Sequence, residues 1–142
     1  MNIKILLVDD EEKFTEVLSE RLSSRDYNVD VVNSGFAAVD QIRKKEYDAV
    51  ILDLAMPEMD GISTLKQLLI TKPDLQIIFL TGHATLEKGI EAVKLGAMDF
   101  IEKPVELEKL IKKIKIAKQT GERLGEKRVD EKIQRILKKK GW

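Results

Sequence analysis

Side chains that could bind a metal ion or a phosphoryl group follow four apolar runs of the sequence. They are Asp9 and Asp10, Asp53, Thr81, and Lys103. Among hard cations, Mg²⁺ suits one or two carboxylates, keeps several waters and binds phosphate oxygens. A carboxylate beside such a cation can act as a nucleophile on phosphorus, while an ammonium and a hydroxyl stabilise the developing charge. These residue types indicate phosphoryl transfer to a carboxylate, provided that the fold brings them together.

The apolar pattern predicts the elements that must position these side chains. Residues 50–52 are apolar on both faces and rich in β-branched side chains, which is typical of a strand covered by helices on both sides. Residues 56–61 then break regular structure, because they contain Pro57 and Gly61. Strands are predicted at residues 3–8, 29–32, 50–54, 76–80 and 98–101. The helical faces that follow them contain Phe14, Val17, Leu18 and Leu22; Phe36, Val39 and Ile42; Ile62, Leu65, Leu68 and Leu69; Leu86, Ile90 and Val93; and Leu107, Leu110, Ile111 and Ile114.

Strict alternation of five strands with five helices predicts an α/β fold with one parallel sheet, right-handed crossovers and helices on both faces. The carboxyl ends of parallel strands meet at one edge, where ligands of open sheets bind. Singly, each candidate has an ordinary explanation, such as a helix cap for Asp9 and Asp10 or a turn for Asp53 and Thr81. Their joint occurrence at successive strand ends favours a shared site.

Composition limits the classes of protein that need to be considered. With 142 residues, the chain is long enough for one domain and a tail. It has no Cys and a single His, His83. This composition excludes disulfides and thiolate zinc sites, so we expect that any cation site consists of oxygen ligands. No apolar run approaches the roughly 18 residues of a spanning helix, and the first residues show no signal-peptide pattern, so we expect a cytoplasmic protein.

The motifs around the candidate residues are similar to those of a known family. They are Val8-Asp9-Asp10-Glu11; Leu52-Asp53 with Met56-Pro57 and Asp60-Gly61; Thr81-Gly82-His83; and the run from Gly96 to Pro104. From residue 1 to about residue 118, the chain resembles the receiver domain of bacterial two-component response regulators, of the stand-alone, single-domain type. The resemblance implies a flavodoxin-like (βα)₅ sheet with strand order 2-1-3-4-5, and it divides the chain into a receiver, 1–118, and a helical tail, 119–142.

The resemblance also implies roles for individual residues. Asp53 would accept a phosphoryl group from a sensor histidine kinase or a phosphotransfer protein, and an unknown downstream protein would recognise the product. Asp10, Asp53 and the backbone carbonyl of Ala55 would hold Mg²⁺, with Asp9 helping through water. Thr81 and Lys103 would contact the phosphoryl group. The bond between Lys103 and Pro104 would be a cis peptide.

The same resemblance places a conformational switch at Thr81 and Phe100. Thr81 would move toward the phosphoryl group, and the Phe100 ring would enter the space left behind. Because Phe100 has no hydroxyl, packing alone must supply the change. His83 could either overhang the site or lie in solvent. A homodimer through the fourth helix, the fifth strand and the fifth helix is a further expectation.

Three other functions remain to be weighed at this point. A phosphatase of the haloacid-dehalogenase type also uses an Asp nucleophile with Mg²⁺, but it needs a second Asp where this chain has Ala55. A nucleotide-binding Rossmann domain needs a Gly-rich loop where this chain has Asp9 and Asp10. A receiver-like fold that is never phosphorylated would not need the complete acidic set.

The tail differs from the body in charge. Residues 1–104 have 12 basic and 19 acidic side chains, whereas residues 105–142 have 13 basic and 6 acidic ones. Gly121 and Gly125 predict a break after the fifth helix, followed by a basic amphipathic helix. That helix could pack on the body, notably on the face of the fourth and fifth helices, pair with another chain, or dock on a partner. We expect no nucleic-acid binding, because no reading module follows.

Overall fold

The computed structural model describes residues 2–54, 60–82 and 86–141. Strands and helices alternate along the chain, as the apolar pattern predicts. The strands are β1 (Lys4–Val8), β2 (Asn28–Val32), β3 (Ala49–Asp53), β4 (Ile77–Thr81) and β5 (Asp99–Glu102). The helices are α1 (Glu12–Ser23), α2 (Gly35–Lys44), α3 (Gly61–Thr71), α4 (Leu86–Lys94) and α5 (Leu107–Lys139).

The five strands form one parallel sheet in the order β2-β1-β3-β4-β5. This is the flavodoxin-like order that the resemblance implies. Strand β3 lies at the centre between β1 and β4, and its residues Ala49 to Leu52 are buried. A strand buried on both faces needs apolar side chains in succession, which explains why residues 49–52 do not alternate with polar ones.

Two apolar clusters cover the two faces of the sheet. Successive side chains of a strand point to opposite faces, so Leu6 of β1 joins one cluster and Leu7 joins the other. Helices α2, α3 and α4 contribute to the cluster that contains Leu6. Helices α1 and α5 contribute to the cluster that contains Leu7. Among the described residues, no helix is long and apolar enough to cross a membrane.

The apolar face predicted for α4 from Ile90 and Val93 is not the face that packs on the sheet. Ile90 and Val93 are 45% and 37% exposed, whereas Gly89 and Ala92 are buried. The helix lies so close to the sheet that a Cβ at Gly89 would be 2.8 Å from the Cγ2 atom of Thr81. Small residues therefore form the packed face of α4, and the larger apolar side chains point outward.

The break predicted at Gly121 and Gly125 is also wrong, because α5 continues without interruption from Leu107 to Lys139. The backbone at both glycines is helical, and two ion pairs hold the helix to the body on either side of them. Lys118 Nζ lies 3.0 Å from Asp48 Oδ1, and Arg128 Nε lies 2.7 Å from Asp74 Oδ2. The body contact of Arg128 is therefore with the segment between α3 and β4 rather than with α4.

Gly121 and Gly125 provide a test of this continuity. A Cβ at either position would meet no atom within 4 Å, so alanine fits both sites. We expect the double substitution Gly121→Ala, Gly125→Ala to stabilise the helix by about 1 kcal/mol per site, since glycine is a poorer helix former. Amide hydrogen exchange across residues 119–139 should slow accordingly.

Gly61→Ala is the matched control for that substitution. A Cβ at Gly61 would lie 2.6 Å from the Cα atom of Leu54, so alanine there should lower the free energy of unfolding. Unchanged or faster exchange in the Gly121→Ala, Gly125→Ala protein would contradict a continuous α5.

Candidate functional site

Three carboxylates meet at the carboxyl edge of the sheet. Strands β1 and β3 pair in parallel with Val8 opposite Leu52, so the residues that follow, Asp9 and Asp53, lie side by side. With Asp10 they form a group in which one ligand atom of each residue lies within 4.8 Å of the others. This spacing suits a single divalent cation with oxygen ligands. The structure thus brings together the acidic residues that the sequence predicts.

Asp9 is the buried member of this group. Its Oδ1 atom accepts a hydrogen bond of 3.0 Å from the backbone N–H of Glu11. Its Oδ2 atom is buried and has no hydrogen-bond partner in the described part of the chain. Burial is the main cause that raises the pKa of Asp9 to about 6, and the negative charge of Asp53 adds to it. A buried carboxylate next to other carboxylates is costly unless a positive charge compensates it.

Lys103 supplies a positive charge beside the carboxylates. Its Nζ atom lies 3.8 Å from Asp9 Oδ2 and 3.9 Å from Asp53 Oδ2. The same ammonium lies over the ring of Phe14 on α1, 4.8 Å from the ring centroid, within the range of a cation–π contact. The backbone N–H of Lys103 donates to the carbonyl of Thr81 at 2.7 Å, and the bond to Pro104 is cis. Lys103 thus reaches the acidic group from β5 and contacts α1.

Thr81 ends β4 next to this site. Its side chain is fully buried, and its Oγ1 atom has no hydrogen-bond partner among the described residues. Phe100, on the neighbouring strand β5, is partly buried against the cluster under α4. A Cβ at Gly89 would lie 2.8 Å from Thr81 Cγ2 and 3.1 Å from Phe100 Cγ, so both side chains border the same glycine. Thr81 and Phe100 thus share one space under α4.

Two residues named in the sequence analysis lie outside the described part of the structure. They are Ala55, whose carbonyl is the expected third metal ligand, and His83.

Sequence reasoning missed the roles of Phe14 and Gly89. The spacing of Phe14 from Leu18 and Leu22 predicts a place on the apolar face of α1, and this periodicity carries no signal of the contact with Lys103. Gly89 did carry a signal, because a glycine within a helix is unfavourable and points to a close packing contact.

Comparison with known proteins agrees with this fold. Residues 5–115 match the family described as the response regulator receiver domain. The chain is 38% identical to the transcriptional regulatory protein ZraR of Escherichia coli (strain K12) over 109 residues, which are 77% of this chain and 25% of ZraR. It is 35% identical to the response regulator MprA of Mycobacterium bovis (strain BCG / Pasteur 1173P2) over 115 residues, which are 81% of this chain and 50% of MprA.

A solved structure extends the comparison to three dimensions. The response regulator receiver domain protein from Clostridium thermocellum superimposes with a TM-score of 0.81 at 29% sequence identity, over 86% of this chain and 98% of that one. The chain therefore belongs to the response regulator receiver domain family. It spans between a quarter and half of the length of the two curated relatives.

The contact between Lys103 and Phe14 leads to a prediction about the ordering of the ammonium group. Phe14→Leu keeps an apolar side chain but removes the aromatic face, so Lys103 should spend less time between Asp9 and Asp53. A partly exposed cation–π contact contributes about 1 kcal/mol, which corresponds to roughly fivefold in the ratio of placed to displaced ammonium. NMR order parameters of the Lys103 side chain should fall in Phe14→Leu and recover in Phe14→Tyr. Equal order parameters in all three proteins would contradict the contact.

Proposed function

We propose that this receiver accepts a phosphoryl group on Asp53 from the phosphohistidine of a sensor histidine kinase or a phosphotransfer protein, with Mg²⁺. Phosphorylation changes the packing around Thr81 and Phe100 and so controls the binding of a downstream protein. The observation that carries this proposal is the convergence of Asp9, Asp10 and Asp53 at one sheet edge with Lys103 beside them. Membership in the receiver family supports it.

In the transfer step, a carboxylate oxygen of Asp53 attacks the phosphorus atom of the donor. A new P–O bond forms while the P–N bond to the donor imidazole breaks, and the electron pair of that bond stays on the imidazole nitrogen. The product is an aspartyl phosphate. Asp53 suits this role because it ends the central strand at the open edge, whereas Asp9 is buried. Chemically this is covalent catalysis by a carboxylate.

The carboxylates of Asp10 and Asp53 would hold the cation directly, and Asp9 would help through water. The resemblance adds the carbonyl of Ala55. A Mg²⁺ ion held by these residues would offset the repulsion of the carboxylates and would supply a positive charge for phosphoryl oxygens. The donor set fits this ion, because its side-chain atoms are all carboxylate oxygens and one buried oxygen of Asp9 lacks a hydrogen-bond partner among the described residues.

Lys103 and Thr81 would stabilise the phosphoryl group once it is on Asp53. The ammonium of Lys103, which lies 3.9 Å from Asp53 Oδ2, can pair with a phosphoryl oxygen. The hydroxyl of Thr81, buried without a partner among the described residues, can donate to another. Movement of Thr81 then frees space next to Gly89 for the ring of Phe100. The switch works through packing alone because Phe100 has no hydroxyl.

The receiver catalyses its own phosphorylation and its slow autodephosphorylation, and it turns over no other substrate. It works in the cytoplasm.

A homodimer can form through α4, β5 and α5. The exposed side chains of Ile90 and Val93 on α4, together with the ion pair between Lys113 and Asp99, supply the mixed apolar and charged surface that such a contact needs.

Intact-protein mass spectrometry tests the acceptor. Incubation of the full chain with Mg²⁺ and acetyl phosphate should add one phosphoryl group to the wild-type protein and none to Asp53→Asn. Asp40→Asn, an exposed carboxylate on α2 away from the site, should behave as wild type. If Asp53→Asn gained the same mass at the wild-type rate, Asp53 would not be the acceptor. Steady release of phosphate from aryl phosphate esters would instead favour the haloacid-dehalogenase alternative.

Metal dependence provides a second test that needs no phosphoryl donor. Without metal, Asp10→Asn should be more stable to urea than the wild type, because one of three mutually repelling charges is removed. With Mg²⁺ the wild type should become more stable to urea than Asp10→Asn, since only the wild type keeps all the metal ligands. Mg²⁺ at ten times its dissociation constant should stabilise the wild type by about 1.4 kcal/mol.

Asp40→Asn is again the control, and its response to Mg²⁺ should equal that of the wild type. If Mg²⁺ stabilised Asp10→Asn as much as the wild type, Asp10 would not be a ligand.

A further inference from the structure

The ammonium of Lys103 lies between two carboxylates without a close contact to either. Its Nζ atom is 3.8 Å from Asp9 Oδ2 and 3.9 Å from Asp53 Oδ2. Charge-assisted hydrogen bonds between nitrogen and oxygen are about 2.7–2.9 Å long, so neither distance is a direct hydrogen bond. Two attractions at similar distances therefore act on the ammonium, and neither fixes its position.

The ring of Phe14 gives Lys103 a contact that does not involve a carboxylate. The Nζ atom lies over this ring, 4.8 Å from its centroid. Phe14 is in the first turn of α1, four residues before the buried Leu18, and it packs on the apolar cluster that contains Leu7. This packing holds the ring in place, so the ring offers the ammonium a fixed surface.

The two kinds of contact respond differently to a divalent cation at the acidic group. A cation held by Asp10 and Asp53 neutralises charge that attracts the ammonium, and it also repels the ammonium itself. The cation–π contact depends on the quadrupole of the ring, which the bound cation leaves unchanged. Of these contacts, the one with Phe14 is therefore the one that persists when the carboxylates are engaged.

We propose that Phe14 is a positioning residue for phosphoryl transfer, which retains the ammonium of Lys103 beside Asp53 while the carboxylates hold Mg²⁺. The inference rests on the proposed function, in which Lys103 pairs with a phosphoryl oxygen. A lysine that left the sheet edge when the cation bound would have to return before it could stabilise the transferred group. Phe14 avoids this loss and acts only through Lys103.

Retention of the ammonium has two opposite consequences. It favours transfer, because a positive charge is in place where negative charge develops. It opposes binding of the cation, because two like charges are kept close together. Loss of the aromatic face should therefore slow phosphorylation and tighten Mg²⁺ binding at the same time. A substitution that merely distorted the site would slow phosphorylation and weaken Mg²⁺ binding together.

A titration of the full chain with Mg²⁺ alone, followed by the NMR signal of the Glu11 amide, measures the effect on binding. The N–H of Glu11 donates to Asp9, so its signal responds to changes at the carboxylates. Phe14→Leu should lower the dissociation constant for Mg²⁺ by up to about fivefold, and Phe14→Tyr should restore the wild-type value. Equal or weaker binding by Phe14→Leu would overturn the proposal.

The rate at which acetyl phosphate phosphorylates Asp53, at saturating Mg²⁺, measures the effect on transfer. Phe14→Leu should be slower by a factor similar to its gain in Mg²⁺ affinity, since both changes come from the same displaced ammonium. Phe14→Tyr should recover the wild-type rate. Val17→Ala is the control, because Val17 is 50% exposed on the same helix, and it should change neither quantity. An unchanged rate in Phe14→Leu would also overturn the proposal.

Removal of Lys103 shows whether Phe14 acts through it. In a Lys103→Ala background there is no ammonium to retain, so the further change Phe14→Leu should leave the Mg²⁺ affinity unchanged. If Phe14→Leu tightened Mg²⁺ binding equally in both backgrounds, Phe14 would act by another route and the proposal would fail.

The ε-methylene protons of Lys103 report the retention directly. Over an aromatic face they resonate upfield, and they should remain upfield at saturating Mg²⁺. Disappearance of that shift when Mg²⁺ is added would contradict the proposal. These Mg²⁺ measurements need no phosphoryl donor, so a wild type that gains no phosphoryl mass would refute the proposed function alone. A wild type that gains the mass but binds Mg²⁺ as tightly as Phe14→Leu would refute only the role of Phe14.

Discussion

Repulsion among Asp9, Asp10 and Asp53 is the constraint on which the rest of the structure depends. The parallel pairing of β1 with β3 holds these carboxylates within 4.8 Å of one another, and the burial of Asp9 makes its charge more costly. Two positive charges can offset that cost, a bound cation and the ammonium of Lys103. The second is already in place, and Phe14 contributes to holding it there. The repulsion that is unfavourable among the carboxylates alone is what favours the binding of a cation beside them.

The unsatisfied atoms lie at the same edge of the sheet. The Oδ2 atom of Asp9 and the Oγ1 atom of Thr81 are buried without hydrogen-bond partners among the described residues. A buried polar atom without a partner costs about 1–3 kcal/mol, so both atoms favour a state in which a ligand supplies the missing bond. These two atoms therefore lower the stability of the fold while they favour the binding of a ligand. The rest of the core, built from apolar side chains on both faces of the sheet, tolerates that cost.

The sequence sufficed to predict the elements and the acidic group, because both follow from strong local signals. Apolar runs such as residues 50–52 identify strands, and parallel topology brings the residues after each strand to one edge. Packing between elements was harder to predict. The apolar periodicity of Ile90 and Val93 indicated the buried face of α4, yet the sheet accepts only Gly89 and Ala92 at that distance. Periodicity counts apolar residues and does not record how closely a helix approaches its neighbour.

A rule based on local sequence also could not predict that α5 is continuous. Two glycines weaken a helix by about 1 kcal/mol each, an amount that the favourable residues around them and the ion pairs of Lys118 and Arg128 can offset. Whether such small terms sum to a break depends on contacts between segments distant in the chain. The cation–π contact of Phe14 was missed for the same reason, because its partner, Lys103, is distant from it in the sequence.

Because α5 is long and uninterrupted, a small change of angle at its start corresponds to a large displacement at its end. Its 33 residues span about 50 Å, and it begins a few residues after Lys103, beside the acidic group. A tilt of about 5° at Leu107 displaces the far end of a rod of that length by about 4 Å. Such a tilt is opposed by the buried side chains of Leu110, Ile111 and Ile114 and by the ion pairs of Lys118 with Asp48 and of Arg128 with Asp74. The pair of Arg128 is partly exposed and contributes at most about 1 kcal/mol. A rearrangement at the carboxyl edge of the sheet that tilted α5 against these contacts would displace its last turns by several ångströms.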